Sequence, residues 1–224
     1  EVTRIAIAEG YALGYHPRTI ALDLVGRVGS GGVRTGGIMG LDRPRAERLM
    51  KVTQGMRTAD GVKGLVIAHD DGSFSMRYKV NLATQQRIMR AYHAGTEVPE
   101  ADRLISERQY KNALLKARGD TVARTETGNA VMSARMEEWQ QLTESQGLTP
   151  DDVIKTWRHR RGVRDGRPDH IAMNGRSVRG LNTPFVFDDG AELQYAHDPD
   201  GGARHAISCG CDTEFRLDHS ENLN

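Results

Sequence analysis

Residues 157–178 read WRHRRGVRDGRPDHIAMNGRSV, and with PFVFDDG at 184–190, AHDPDGG at 196–202 and ARHAISCGCDTEF at 203–215 they decide the fold. Apolar bursts at Val153 to Trp157, Phe185 to Phe187 and Ala206 to Cys209 are short and separated by turn-rich segments. That pattern predicts a small α+β or mainly β unit with long, ordered loops. Upstream the periodicity is helical. The boundary falls at Gly147-Leu148-Thr149-Pro150, because glycine stops a helix and Pro150 biases Thr149 toward extended geometry. The expected class is therefore α+β: a mainly helical scaffold over 1–147 with a short hairpin near 61–80, a loop-rich C-terminal domain over 148–217, and a tail at 218–224.

Composition limits what the chain can be. Its 224 residues suffice for one large or two small domains, and with 38% hydrophobic but only 5% aromatic residues the core should be aliphatic and thin. The 31 basic and 30 acidic side chains leave a formal charge of +1, so no global field drives the chain onto DNA or an anionic membrane. No apolar run approaches the roughly 20 residues that a spanning helix needs, and the N-terminus lacks a signal-peptide pattern. The reading is a soluble, non-secreted product with no membrane partner. Cys209 and Cys211 are the only cysteines. Two residues apart, they close no long loop, and a disulfide across so short a ring would be strained.

Along the scaffold, Pro17 suits a helix start, and Asp42, with Pro44 in the first turn, and Asn81 suit N-caps. GSGGVRTGG at 29–37 lacks the Lys-Ser/Thr that closes a P-loop, so it reads as a flexible link. GLVIAHDDGSFSMRYKV at 64–80 has the run, turn and alternation of a hairpin. Two long helices are expected next, one ending at Gly119 and one capped by Asp120. In the second, Arg124 and Glu126 lie two residues apart and face different directions. They read as structural ion pairs tying the helix to the terminal domain, or as parts of an ADP-ribosyl-transfer site.

The terminal domain needs something to fix its loops. On an extended segment Cys209 and Cys211 point to one face, where they could share a metal or line a core. The sharp expectation is a structural zinc site of His170, Cys209 and Cys211, with Asp165, His197 or His205 as fourth ligand, because thiolate and imidazole suit that ion. The alternative is hydrogen-bonded His and Asp beside buried thiols. No His-Glu-x-x-His motif is present, which favours a closed site over a hydrolytic one. Arg158, Arg160, Arg161 and Arg164 form the densest positive segment. They point to phosphate, to an acidic partner surface, or to pairs with nearby carboxylates.

The order Trp157, Asp165-x-Arg167-Pro168-x-His170, Gly175, an apolar-aromatic patch before Asp-Gly, an Asp-Pro turn and a closing Cys209-x-Cys211 resembles the C-terminal domain of phage Mu F-like minor head proteins, the phage head morphogenesis family. ARTETGNAV at 123–131 and GGIMGLDRPRAERL at 36–49 are similar to segments upstream of that domain. Where the family closes with Asn-Cys-Arg-Cys, this chain has Ser208 and Gly210 in place of Asn and Arg. The resemblance implies a minor capsid protein at the portal vertex or inner capsid surface of the virion, passing through the host cytoplasm during assembly. Its partners would be portal or major capsid protein and packaged DNA, and it would catalyse no reaction. Two other classes stay open. One is an enzyme, either a zinc-dependent hydrolase or the ADP-ribosyltransferase sometimes fused to this domain; the other is a DNA-binding module.

Overall fold

The computed structural model describes residues 2–160 and 166–218. The chain divides into two compact units, 1–120 and 121–224, and the class is α+β.

In the first unit, helix α1 (Val2–Ala12) precedes α2 (Pro17–Val25), whose first N–H groups are met by the His16 side chain, accepting from Arg18 N at 3.1 Å. Strands β1 (Arg27–Val28) and β2 (Arg34–Thr35) pair antiparallel. The glycine-rich segment is thus a hairpin rather than the expected flexible link. Its tip is fastened by Arg108 Nη1 and Asn112 Nδ2, which donate to the carbonyls of Gly31 and Gly32 at 2.9 and 2.8 Å. Helix α3 (Arg43–Gly55) begins at Asp42, whose carboxylate accepts from Arg45 N at 3.0 Å. Helix α4 (Ala59–Leu65) leads into β3 (Val66–Ala68) and β4 (Phe74–Met76), the expected hairpin, with Gly72 at φ 79° in its turn. Helix α5 (Leu82–Ala94) is capped by Asn81, accepting from Thr84 N at 3.0 Å. Val52, Met56, Val62, Leu65, Ile88 and Tyr110 fill the core.

Helix α6 runs unbroken from Glu100 to Ser145, which corrects the expectation of two helices meeting at Gly119-Asp120. Gly119 serves close packing instead. A Cβ there would lie 2.8 Å from Val25 Cγ1 and 2.9 Å from the Ala21 carbonyl oxygen. Asp120 caps nothing; its carboxylate meets Lys116 Nζ one turn back at 2.6 Å. The helix ends near the sequence boundary at Gly147 (φ 66°), but the second unit already begins at Thr121 and includes the helix from there on.

In that unit β5 (Val153–His159) is the centre of a three-stranded antiparallel sheet in the order β6 (Ser177–Arg179), β5, β9 (Cys211–Leu217). Helix α7 (Pro168–Ala172) lies between β5 and β6 in sequence. A two-stranded ribbon, β7 (Phe185–Val186) with β8 (Glu192–Leu193), and the short helix α8 (Gly202–Ala206) precede β9. Alternation along β5 sends Val153, Lys155 and Trp157 inward. Trp157 joins Met173, Phe185, Phe187, Leu193, Cys209 and Cys211 in one apolar cluster. Helix α6 covers β9 through Trp139 stacked on Phe215 and Arg135 paired with Asp212 at 2.9 Å.

Candidate metal centre

Antiparallel register sets the geometry. In the β5–β9 ladder His159 stands opposite Cys211, so two donors from sequence-distant strands meet at one end of the sheet. Ser208 enters the left-handed region (φ 52°) just before the thiols, and its N–H is held by Thr125 Oγ1 of α6 at 2.9 Å. This turn folds Cys209 back beside Cys211, whose N–H points at Cys209 Sγ at 3.4 Å. Helix α7, started by Pro168, carries His170 into the same space.

His170 Nδ1 lies 3.5 Å from Cys209 Sγ and 3.6 Å from Cys211 Sγ. Zinc bonds of about 2.0–2.3 Å at tetrahedral angles place neighbouring donors about 3.5–3.8 Å apart. These spacings fit. Cys209, Cys211 and His170 are 2%, 5% and 1% exposed, and together they form a cluster able to hold a metal ion. His159 Nδ1 also sits 3.5 Å from Cys211 Sγ but is not part of that three-residue cluster. Its backbone N–H donates to Asn174 Oδ1 at 2.9 Å, and its ring packs on Gly166, where a Cβ would come within 2.9 Å of Cε1.

Behind His170 runs a chain of ring hydrogen bonds. His170 Nε2 is 3.0 Å from His205 Nδ1, and His205 Nε2 is 3.0 Å from Asp189 Oδ2. The His205 bond, ahead of the Ala191 N–H and the Arg204 charge, holds the Asp189 carboxyl below the usual range, so it accepts. With one proton on each ring, His205 then donates from Nε2 and accepts at Nδ1, His170 donates from Nε2, and His170 Nδ1 presents its lone pair to the thiols. Such outer partners fix the tautomer of a metal-ligating imidazole. The two thiols titrate as a pair: the hydrogen bond from Cys211 pulls Cys209 down against desolvation, while Cys211 is pushed up by that same bond and by burial.

Among the fourth-ligand candidates, His205 lies in this outer chain. His197 binds the Cys211 carbonyl through Nε2 at 3.2 Å, positioning the strand rather than facing the thiols. Asp165 lies outside the described residues, as do Arg161 and Arg164. Asp169 also approaches His170 and His205, but Arg204 Nη2, 3.0 Å from its carboxylate, opposes a second cation there. Of the arginine cluster, Arg158 pairs with Glu214 at 2.6 Å and Arg160 lies 4.0 Å from Asp212, which is the carboxylate pairing weighed above. Arg124 is exposed and makes no ion pair among the described residues, so the tie expected of it is absent there. Its half-buried neighbour Glu126 is engaged. The tie from α6 to the cysteine turn comes from the residue between them, Thr125.

No protein-family model, curated protein or solved structure matches this chain. Its chemistry rests on the cluster. Sequence reasoning passed over His159 as a neighbour of Cys211, and Asp189 as the support of His205 and, through it, of His170. The i, i+2 spacing of Trp157 and His159 puts both on one face of a strand, but only the β9 register reveals that this face meets Cys211. No helix among the described residues is long and apolar enough to cross a membrane.

Proposed function

We propose that this chain is a minor head protein of a tailed phage or prophage, acting at the portal or inner capsid surface during head morphogenesis, with its second unit clamped by structural zinc. Cys209, Cys211 and His170 are the ligands. The observation that carries the reading is that His170 and the two thiols, residues on which the family resemblance rests, meet within bonding range of a single ion in a buried cluster. All three donors are buried away from solvent, which suits a structural site better than one that must admit substrate. A metal-clamped, catalytically silent module suits an assembly component.

The test is to produce the chain with the portal and capsid proteins of the same phage. Purified heads should contain it, and the isolated protein should hold one zinc per chain and lose it in His170→Ala. Heads that form, package DNA and exclude the chain refute the assembly role. A metal-free, fully folded preparation refutes the clamp.

The thiol, imidazole and Asp189-backed His205 also have the order of a nucleophile, a base and an orienting chain, so a thiol enzyme is the second reading. Iodoacetamide separates the two. A clamp leaves both thiols unmodified in the native protein, whereas a nucleophile reacts fast at Cys209.

A further inference from the structure

The first unit contains a cleft of about 600 Å³ walled by the β1–β2 hairpin, the segment 36–41 and one face of α6. Its lining includes three cations, Arg34, Arg108 and Lys111, together with the Asn112 amide, and no carboxylate among the described residues. None of the three cations has an ion-pair partner among the described residues. Arg34 donates to the Gly26 carbonyl, yet its Nε is buried with no hydrogen-bond partner. A buried guanidinium N–H left without an acceptor is costly, on the order of 1–3 kcal/mol, so Arg34 is not fully satisfied by the chain itself. The lining also has an apolar part, Val25, Leu49 and Leu115.

The hairpin is also held in shape before any ligand arrives. Gly37 crosses so closely that a Cβ would lie 2.3 Å from the Val25 carbonyl carbon, and a Cβ on Gly26 would meet the Thr35 oxygen at the same distance. Arg108 and Asn112 fix the tip to α6. The glycines permit close backbone approach instead of slack.

We propose that this cleft binds a phosphorylated small molecule, its phosphate held by Arg34, Arg108 and Lys111 and its body resting on Val25, Leu49 and Leu115. The inference concerns the first unit and stands independently of the metal clamp and of the head-assembly role. Size and shape favour a small ligand over a nucleic-acid strand. Ligand pockets run from about 300 to 1,000 Å³, whereas a strand needs cations tracking successive phosphates, and here they converge on one concavity. Guanidinium groups suit phosphate oxygens by matching their geometry, and the lysine adds a mobile point charge.

Calorimetric titration of the full chain tests this with inorganic pyrophosphate, ADP and a single-stranded oligonucleotide. Pyrophosphate should bind one to one, and ADP more tightly because its body reaches the apolar wall. Lys111→Glu, at an exposed side chain, should weaken both by about tenfold or more with an unchanged circular dichroism spectrum. Lys63→Glu, which alters a surface pair with Asp60, should change neither. The proposal is overturned by no binding of either phosphate at millimolar concentration, by Lys111→Glu binding as well as the parent, or by an oligonucleotide binding far more tightly than ADP. ADP binding no tighter than pyrophosphate would overturn the role given to the apolar wall.

Discussion

Gly128→Ala should destabilise the second unit even though it replaces glycine by alanine in the middle of a helix. At an open helical site the exchange gains about 1 kcal/mol. At position 128 the new methyl would lie 2.4 Å from His197 Nδ1 and 2.5 Å from its Cε1. The ring it meets is only 8% exposed and belongs to a residue at φ 74°, so it has little room to retreat. Overpacking of this kind costs about 1–3 kcal/mol. Moving the ring also weakens its hydrogen bond to the Cys211 carbonyl, a further ~1 kcal/mol. The net is a loss of about 1–3 kcal/mol, a fall on the order of 1 M in the urea midpoint. Both tryptophans, Trp139 and Trp157, belong to this unit, so their fluorescence follows its unfolding alone. The control is Gly64→Ala in α4, where a Cβ meets nothing within 4 Å; it should stabilise the first unit by up to about 1 kcal/mol. A tryptophan-monitored midpoint for Gly128→Ala at or above that of the parent would refute the packing argument.

Three further outcomes follow from the second unit. Asp189→Asn removes the charged end of the His205–His170 chain and should weaken zinc affinity by roughly 10- to 100-fold, read by competition with a chromophoric chelator; unchanged affinity would break the assigned tautomer chain. Cys209→Ser, or a strong chelator, should lower and broaden the tryptophan transition, and added zinc should restore it only in the chelated parent. Lys155 is fully buried, and its Nζ donates to the Gln194 carbonyl and side-chain oxygen at 2.9 and 3.1 Å. Burial pulls its ammonium down to about 8, with Asp198 opposing. Between about pH 8 and 10.5 the unfolded chain therefore binds more protons than the folded one, so this group makes stability rise with pH across that window and contributes least below it. Lys155→Met should flatten the rise in urea midpoints between those limits, and an identical pH profile would exclude the assignment.

Much of this was legible because it is local. Asp42 and Asn81 announce helix starts through side chains that bond their own N3 amides, and Gly72 and Gly95 supply the positive φ that their turns need. The convergence of His170 with Cys209 and Cys211 could be anticipated from residue type, since a loop-rich unit with few aromatics needs a staple. What escaped depends on partners far along the chain. Gly119 reads as a helix stop until Val25 is known to press against it. The glycine-rich segment reads as slack until Arg108 and Asn112 fasten it from 77 and 80 residues away. His159 sits among arginines and reads as part of a solvated charge run. Its place beside the Cys211 thiol follows from the pairing of β5 with β9, which no local pattern encodes. Arg124 and Glu126 drew notice for their charge, yet the neutral hydroxyl between them carries the tie to the cysteine turn.

The order in which the donors are synthesised bears on how the second unit matures. His159 and His170 leave the ribosome first, and the two sulfurs follow only after about 40 more residues have been added. A chain interrupted anywhere in that interval carries imidazoles with nothing to complete them, and its β5 lacks β9 as a neighbour. The cluster of His170, Cys209 and Cys211 can therefore close only late, on a nearly complete unit. Truncated products would stay loose and open to proteolysis.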